Sequence, residues 1–166
     1  EIGVRLVGSE MCIRDSSDTD LTVPGLIDGY VVTGIADHAF EANADIKSIT
    51  LPNGLIAIGE SAFSDCSSLT TVVIPDTVGT IRRGAFISCT ALTTLDIPAS
   101  VTEIMEEAFT GCAALKDLTI ESSTVEFTNW WVDTDEIPSD LTITCPKDSK
   151  IAAWAEKNNV ATEPLS

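Results

Sequence analysis

Basic residues are scarce in this sequence. Nine lysines and arginines stand against 26 aspartates and glutamates, which gives a formal net charge of −17. Proteins that bind a phosphate backbone need clustered Lys and Arg, so the negative net charge argues against a nucleic-acid partner. No apolar run approaches the roughly 20 residues that cross a bilayer, so we expect no membrane span. The five cysteines are odd in number and form no CxxC pair, which is unlike a secreted disulfide framework.

Catalytic motifs are also missing. The sequence has no GxSxG, HExxH, P-loop or GxGxxG pattern, and it has a single histidine, His38. Aromatic residues make up only 5% of the chain, but 44% of residues are apolar. A protein of this length with that apolar content forms either one domain or a short repeat array with a sizeable core.

What the sequence does contain is a 23-residue repeat. Four Ala-Phe pairs follow one another at that spacing, with the rings at Phe40, Phe63, Phe86 and Phe109. Three residues after each ring stand, in turn, Asn43, Cys66, Cys89 and Cys112. Further apolar positions keep the same period, among them Ile35, Ile58, Ile81, Ile104 and Phe127.

Each repeat predicts one coil of a solenoid. "LTTVVIP" alternates as a short strand does and ends at a proline, while "IGESAFSDCSSL" spaces its apolar residues for one or two helical turns. One such coil buries too little to fold alone, but stacked coils cover each other and pair their strands into a parallel sheet. The predicted fold class is therefore a β-rich α/β solenoid, with one short strand per coil, short helical turns and a C-terminal capping helix.

The predicted domain is a single solenoid over 17–166 with about five coils. It has an N-terminal coil at 20–40, repeats over about 41–124, and a degenerate coil at 125–144 that stays in phase through Phe127, Leu141 and Ile143. A capping helix is predicted over about 149–159, with Ser149 at its N-cap. Its apolar face, Ile151, Trp154 and Ala155, is expected to shield the last coil and block edge pairing.

Residues 1–16 do not fit the repeat. "LVGSEMCIRDS" (6–16) resembles a translated sequencing adapter, and the alternative is a disordered natural N-terminus. We therefore expect a non-native, disordered segment, with any natural leader outside this sequence, so Cys12 does not indicate the redox environment of the protein.

The repeat "IGESAFSDCSSL", together with "PGLIDGYVVTGIADHAF" and "SKIAAWAEKNNV" at the two ends, resembles the BspA-like leucine-rich repeats. The resemblance covers about residues 20–160 and implies a curved solenoid. It also implies a bacterial cell-surface or secreted protein that works in adhesion, without catalysis or a cofactor. Asn43 and the fifth coil, which lacks Ala-Phe and Cys, depart from the family pattern.

Four interpretations of the cysteines are open. Coils stacked at strand spacing put Cys66, Cys89 and Cys112 in one line. The line could be a buried structural ladder, a disulfide with one thiol left over, a metal site or a source of a nucleophile. Because Asn43 takes the first place in that line, we predict a small buried site near backbone groups, with Asn43 and the cysteines as a structural ladder beside the four phenylalanines.

The outward strand positions are the binding candidates. They form two rows of small, hydroxyl-rich and acidic side chains, and the alternative is a solvated β face on which Thr simply suits a strand. One row is Ser48, Thr71, Thr94, Asp117 and Asp140, and the other is Thr50, Val73, Asp96, Thr119 and Thr142.

"TNWWVDTDEIPSD" (128–140) departs most from the repeat. Trp131 is expected to fill the room left by the missing Phe, while Trp130 either packs under the terminal helix or joins the binding candidates as an exposed aromatic. Asp133, Asp135 and Glu136 are candidate Ca²⁺ ligands whose spacing is not that of an EF-hand. The position of His38 varies between repeats, so we expect it to be exposed.

These observations favour a non-enzymatic interaction or adhesion module that binds a protein or a glycan and is monomeric. The alternatives are an architectural spacer within a larger surface protein or enzyme, and a hydrolase that would require a pocket with paired carboxylates.

Overall fold

The computed structural model describes residues 3–5, 10–12, 19–131 and 136–165. In chain order the elements are β1 (Gly3–Arg5), β2 (Glu10–Cys12), β3 (Asp20–Thr22), β4 (Leu26–Ile27), β5 (Tyr30–Val31), β6 (Gly34–Ile35), β7 (Ser48–Thr50), β8 (Ala57–Ile58), β9 (Thr71–Val73), β10 (Thr80–Ile81), β11 (Thr94–Ile97), β12 (Glu103–Ile104), β13 (Asp117–Ile120), β14 (Glu126–Phe127), β15 (Thr142–Cys145), α1 (Lys150–Lys157) and β16 (Ala161–Pro164). The chain is a solenoid of about six turns, one more than the sequence predicts.

The longer strands form one side of the solenoid. Parallel pairing joins β3, β7 and β9 in one group and β11, β13, β15 and β16 in another, and β9 lies beside β11. The predicted alternation is confirmed, because in β9 Thr71 and Val73 are exposed while Val72 between them is buried. This period of two gives the side an apolar inner face and a polar outer one.

The two-residue strands form a second side. β6, β8, β10, β12 and β14 pair in parallel, in order along the stack. Their register places Ile35, Ile58, Ile81, Ile104 and Phe127 in one row, as the 23-residue period predicts. The four isoleucines are buried, so this row forms one wall of the core.

The third side holds the Ala-Phe segments, and here the structure differs in detail from the predicted helical turns. The backbone N–H groups of Ala62 and Ser64 close tight turns onto Gly59 and Ser61 of their own coil. The N–H of Phe63, between them, donates instead to Ala85 O of the next coil at 2.8 Å. This alternation needs left-handed residues on either side of the ring. They are His38, Ala42, Ser61, Asp65, Gly84, Ser88, Glu107 and Gly111, all at positive φ.

A stack of rings runs through the core. Phe40, Phe63 and Phe86 lie nearly parallel, with centroid distances of 5.2 and 5.3 Å, and Phe109 follows at 6.2 Å. Trp131 continues the stack at 5.6 Å from Phe109 and is 5% exposed, so it occupies the room left by the missing Phe.

The last coil leaves the predicted phase. Phe127 still pairs with Ile104, but Leu118 pairs with Ile143 rather than with Leu141. The prediction that Leu141 and Ile143 keep the 23-residue period is therefore wrong by two residues. Extra residues between β14 and β15 cause the shift, and they place Cys145 at the buried position expected for Ile143.

The predicted capping helix is present as α1. Ser149 lies at its N-cap and accepts a hydrogen bond from Ala152 N at 3.1 Å, while Ile151 and Ala155 are buried. The expectation that the helix ends strand pairing is wrong, because β16 follows it and pairs in parallel with β15. All of β16 is exposed and its last residue is Pro164, which has no N–H to offer at a sheet edge.

The N-terminal segment differs from the disorder expected for residues 1–16. β1 and β2 pair antiparallel there, with Val4 opposite Met11. The origin of this segment stays a prediction.

Candidate binding face

The outer side chains of the longer strands form a continuous surface, which we call the outer strand face. By the observed register its first row is Asp20, Ser48, Thr71, Thr94, Asp117 and Thr142, and its second row is Thr22, Thr50, Val73, Asp96, Thr119 and Thr144. Thr50, Thr71, Thr94, Asp96 and Asp117 are exposed, and Ser48, Thr119 and Thr142 are partly exposed. Val73 is 50% exposed and supplies an apolar point among hydroxyls and carboxylates.

Two predicted members of the face change place. Thr142 belongs to the first row, opposite Asp117, rather than to the second. Asp140 lies outside the rows, just before β15, because of the two-residue shift in the last coil. Its carboxylate is 3.2 Å from Lys116 Nζ in an exposed ion pair at the edge of the face.

Sequence reasoning missed both ends of the rows. Asp20 and Thr22 extend them at the N-terminal coil, where Asp20 Oδ1 accepts a hydrogen bond from Ser48 Oγ at 2.5 Å. The signal was present, since "DLT" at 20–22 has the same alternation as "SIT" at 48–50, but the longer spacing hid it. At the other end β16 adds Glu163 opposite Thr144.

Trp130 is not an exposed aromatic, and its place among the binding candidates is wrong. Its side chain is 1% exposed and packs against Phe127, Trp131 and Trp154, with a centroid distance of 4.9 Å to Trp154 in α1. The cause is a one-residue slip. Phe109 N–H donates to Trp130 O, whereas the period places residue 131 at that acceptor. Trp130 therefore turns inward and packs under the helix.

The three repeat cysteines form a buried ladder of hydrogen bonds. Each thiol donates to the carbonyl of the phenylalanine in the preceding coil, from Cys66 to Phe40, Cys89 to Phe63 and Cys112 to Phe86, all at 3.1 Å. All three are free thiols. Burial raises the pKa of Cys66 to about 11 and of Cys112 to about 12, and it raises that of Cys89 as well. A protonated, buried thiol is a poor nucleophile, which leaves these groups a structural task.

Asn43 satisfies a different need from the cysteines. Its Oδ1 accepts from the N–H groups of Asp45 and Ile46, at 3.0 and 3.2 Å, within its own coil. The first Ala-Phe coil has no earlier phenylalanine carbonyl to receive a thiol proton, so a side chain that closes its own turn suits this position.

The remaining candidates are scattered. His38 is exposed, as predicted, and its Nδ1 lies 3.0 Å from Glu41 Oε2. Asp133 and Asp135 lie outside the described residues, and Glu136 is exposed. Within the described residues no three His, Cys, Asp or Glu side groups lie together as metal ligands.

Two concave spaces lie at the C-terminal end of the described chain, and the first of them reaches Thr142 of the outer strand face. One cleft of about 310 Å³ lies between residues 137–142 and 158–161, and an open groove of about 630 Å³ runs along α1. No helix in the described part of the protein is long and apolar enough to cross a membrane.

The comparisons with known proteins agree with this architecture. A leucine-rich repeat protein from T. pallidum is 25% identical, with a TM-score of 0.70 over 78% of this chain and 59% of that one. A leucine-rich repeat protein from Bacteroides capillosus is 34% identical, with a TM-score of 0.57 over 62% of this chain and 77% of that one. A leucine rich cell surface protein from Faecalibacterium prausnitzii shares the fold at 24% identity, with a TM-score of 0.64 over 96% of this chain and 36% of that one.

The chain thus spans less than two thirds of the length of the T. pallidum and F. prausnitzii proteins. The search of curated proteins finds no match. The family described as BspA type Leucine rich repeat region (6 copies) matches residues 31–142, which is more than half of the sequence. With its coil geometry, thiol ladder and stacked rings, the chain belongs to the BspA-type leucine-rich repeat family.

Proposed function

We propose that this chain is a non-enzymatic interaction module of a bacterial cell-surface or secreted protein, and that it binds a protein or a glycan through the outer strand face. The observation that carries the proposal is the exposure of that face. Thr71, Thr94, Asp96 and Asp117 are exposed, and neither the helical cap nor any loop among the described residues covers them. A rigid parallel sheet presents these groups at fixed spacing, which lowers the ordering cost of binding.

The charge of the face supports a partner that is basic or rich in hydroxyl groups. Asp20, Asp96 and Asp117 carry negative charge, and the ammonium group of Lys116, beside the rows, is paired with the carboxylate of Asp140. A complementary partner would be steered by this field, so binding should weaken as salt rises. The surface location rests on family membership and on the F. prausnitzii relative, described as a cell surface protein.

The test is a solid-phase binding assay with matched charge variants. Wild type, a face variant (Asp96→Lys with Asp117→Lys) and a control variant (Asp76→Lys with Glu103→Lys) are applied to surfaces coated with collagen, fibronectin or mucin. Both variants make the same change in net charge, but only the first touches the face. We expect wild type and control to bind at least one coating and the face variant to lose about tenfold in affinity.

Equal binding by the face and control variants would overturn the assignment of the face. Failure of wild type on all three coatings would instead favour the second candidate, an architectural spacer. That alternative is supported by the 36% and 59% of the solved relatives that this chain spans, since a repeat segment of a longer protein can serve to position other domains.

A further inference from the structure

Asn53 and Gly54 form the single Asn-Gly pair in the sequence, because Asn43, Asn129, Asn158 and Asn159 precede larger residues. The pair lies in the turn between β7 and β8, at a corner of the solenoid. Asn53 is exposed. Gly54 is left-handed, at a φ of 97°, and Leu55 N donates to Pro52 O at 3.3 Å to close the turn.

We propose that Asn53 is a site of spontaneous deamidation, and that Thr77 of the next coil controls its rate. In this reaction the backbone nitrogen of Gly54 loses its proton to water or hydroxide and attacks Cγ of Asn53. A new bond forms between that nitrogen and Cγ, Nδ2 of Asn53 takes a proton from water, the bond from Cγ to Nδ2 breaks, and ammonia leaves. Water then opens the resulting succinimide to aspartate or isoaspartate. Glycine favours the attack because no Cβ obstructs the approach of its nitrogen.

The native turn restrains the attacking nitrogen. Gly54 N–H donates to Thr77 Oγ1 at 3.1 Å, and the same hydroxyl donates its own proton to Leu55 O at 2.8 Å. Both bonds cross from the second Ala-Phe coil to the third. Ring closure needs this N–H free and its peptide plane turned towards the Asn53 side chain, so the coils must separate locally at this corner first.

The products would alter this part of the stack. Either product adds a negative charge to an already acidic protein. Isoaspartate also lengthens the backbone by one methylene at residue 53, two residues before Leu55, which is fully buried. A turn so lengthened cannot keep both the Pro52–Leu55 closure and the burial of Leu55. We therefore expect modified molecules to unfold more readily than the unmodified protein.

The experiment follows deamidation in the purified 166-residue chain at mildly alkaline pH, by peptide mass mapping and by an isoaspartate assay. Thr77→Val keeps the side-chain shape and removes the hydroxyl. Ser100→Ala is the matched control, since Ser100 Oγ makes the corresponding bond to Val78 O at 2.7 Å one coil further on, without touching Gly54. Asn53→Gln gives the background.

We expect the folded wild type to deamidate at Asn53 more slowly than the same protein in urea. Loss of a hydrogen bond worth about 0.5–1.5 kcal/mol predicts an acceleration of about 2- to 13-fold in Thr77→Val and none in Ser100→Ala. Equal rates in folded and urea-treated wild type, or in Thr77→Val and wild type, would overturn the proposal. If Thr77→Val does not fold by circular dichroism, hydrogen exchange in wild type decides, because an unprotected Gly54 amide contradicts the restraint.

Discussion

The regular coils and the C-terminal coil meet the same burial requirement in different ways. In the regular coils one ring and one thiol recur with nearly constant geometry, with thiol–carbonyl distances of 3.1 Å and ring planes within 14° of each other. In the last coil two indoles stand at the places of the alanine and the phenylalanine, since Phe109 N–H donates to Trp130 O as Phe86 N–H donates to Ala108 O. Trp131 is tilted by 49° to Phe109, and Trp130 stands edge-on to Trp154 of the cap.

The difference shows what each region has to match. A regular coil packs against a copy of itself, so identical residues at identical positions are the solution with the fewest voids. The last coil has a helix on its far side, and its large indole side chains fill the irregular space between them. It does so at a polar cost, since among the described residues no acceptor meets the buried Nε1 of Trp130 or Trp131.

The largest expected effect comes from removing a ring inside the regular stack. Phe86 is fully buried between Phe63 and Phe109, so Phe86→Ala should lower the free energy of unfolding by about 3–5 kcal/mol. Urea unfolding followed by circular dichroism measures the loss. Leu26→Ala, at a side chain 63% exposed, is the control and should change stability by less than about 0.5 kcal/mol. Similar losses in both variants would contradict the stack as the main core.

A second substitution tests the close backbone contact between two neighbouring coils at Gly59. A Cβ on Gly59 would lie 2.6 Å from Ile35 O and from backbone atoms of the Ala36–Asp37 peptide, so Gly59→Ala should cost about 1–3 kcal/mol. At Gly79 the nearest atom would be 3.8 Å away, which makes Gly79→Ala the matched control. Thermal unfolding of the pair distinguishes them, and equal midpoints would show that the coils are not so closely stacked at Gly59.

The thiol ladder gives a prediction in pH. Burial raises the pKa of Cys66 to about 11 and that of Cys112 to about 12, above the ordinary 9.0 expected in the unfolded state. Because the folded values are the higher ones, the stabilisation is fully present below pH 9 and is lost as pH rises towards these values. Each thiol should contribute a loss of about 1.4 kcal/mol per pH unit over that window.

Urea unfolding at pH 8, 9 and 10 measures this slope. Cys112→Ala should have a lower free energy of unfolding at pH 8 than wild type. Its free energy of unfolding should also fall less steeply with pH, because one of the buried thiols is missing. A wild-type stability that stays level between pH 8 and 10 would contradict the burial of the ladder.

The smallest effect is expected in the cap. Ser149→Ala removes the acceptor for Ala152 N and should cost about 1 kcal/mol, felt first as faster hydrogen exchange within α1. Ser67→Ala, at an exposed serine of the regular coils, is the control and should leave that exchange unchanged. Uniform acceleration across the regular coils in Ser149→Ala would show that the cap and the stack unfold as one unit.

The packing of the regular coils can be predicted from the sequence because each inward position repeats. The period alone aligns Ile35 with Ile58, the phenylalanines with one another and the three cysteines in a line, and the structure has all of these contacts. The register of the terminal coils is poorly predicted, because each of them occurs once and no second copy reveals an inserted residue. The shift that moves Thr142 into the first row, and the slip that buries Trp130, are both of this kind.

The alternate backbone bonds at the Ala-Phe corners depend on left-handed residues that are not glycine, among them His38, Ser61 and Glu107. No side-chain pattern signals that conformation at these positions, so the sequence alone favours a helical turn there.

The backbone hydrogen bonds at the Ala-Phe corners also give the stack of coils a direction and fix its repeat length. Each coil offers N–H groups to the next coil and carbonyls to the one before, as in Phe63 N to Ala85 O followed by Phe86 N to Ala108 O. Deleting or duplicating a whole 23-residue unit among the regular coils would rejoin matching donors and acceptors, rings and thiols. A change of about one residue more or less than that unit would misplace all of them. Genetic recombination between repeats can therefore lengthen or shorten this protein in whole coils, while the N-terminal and C-terminal coils have to be kept as they are.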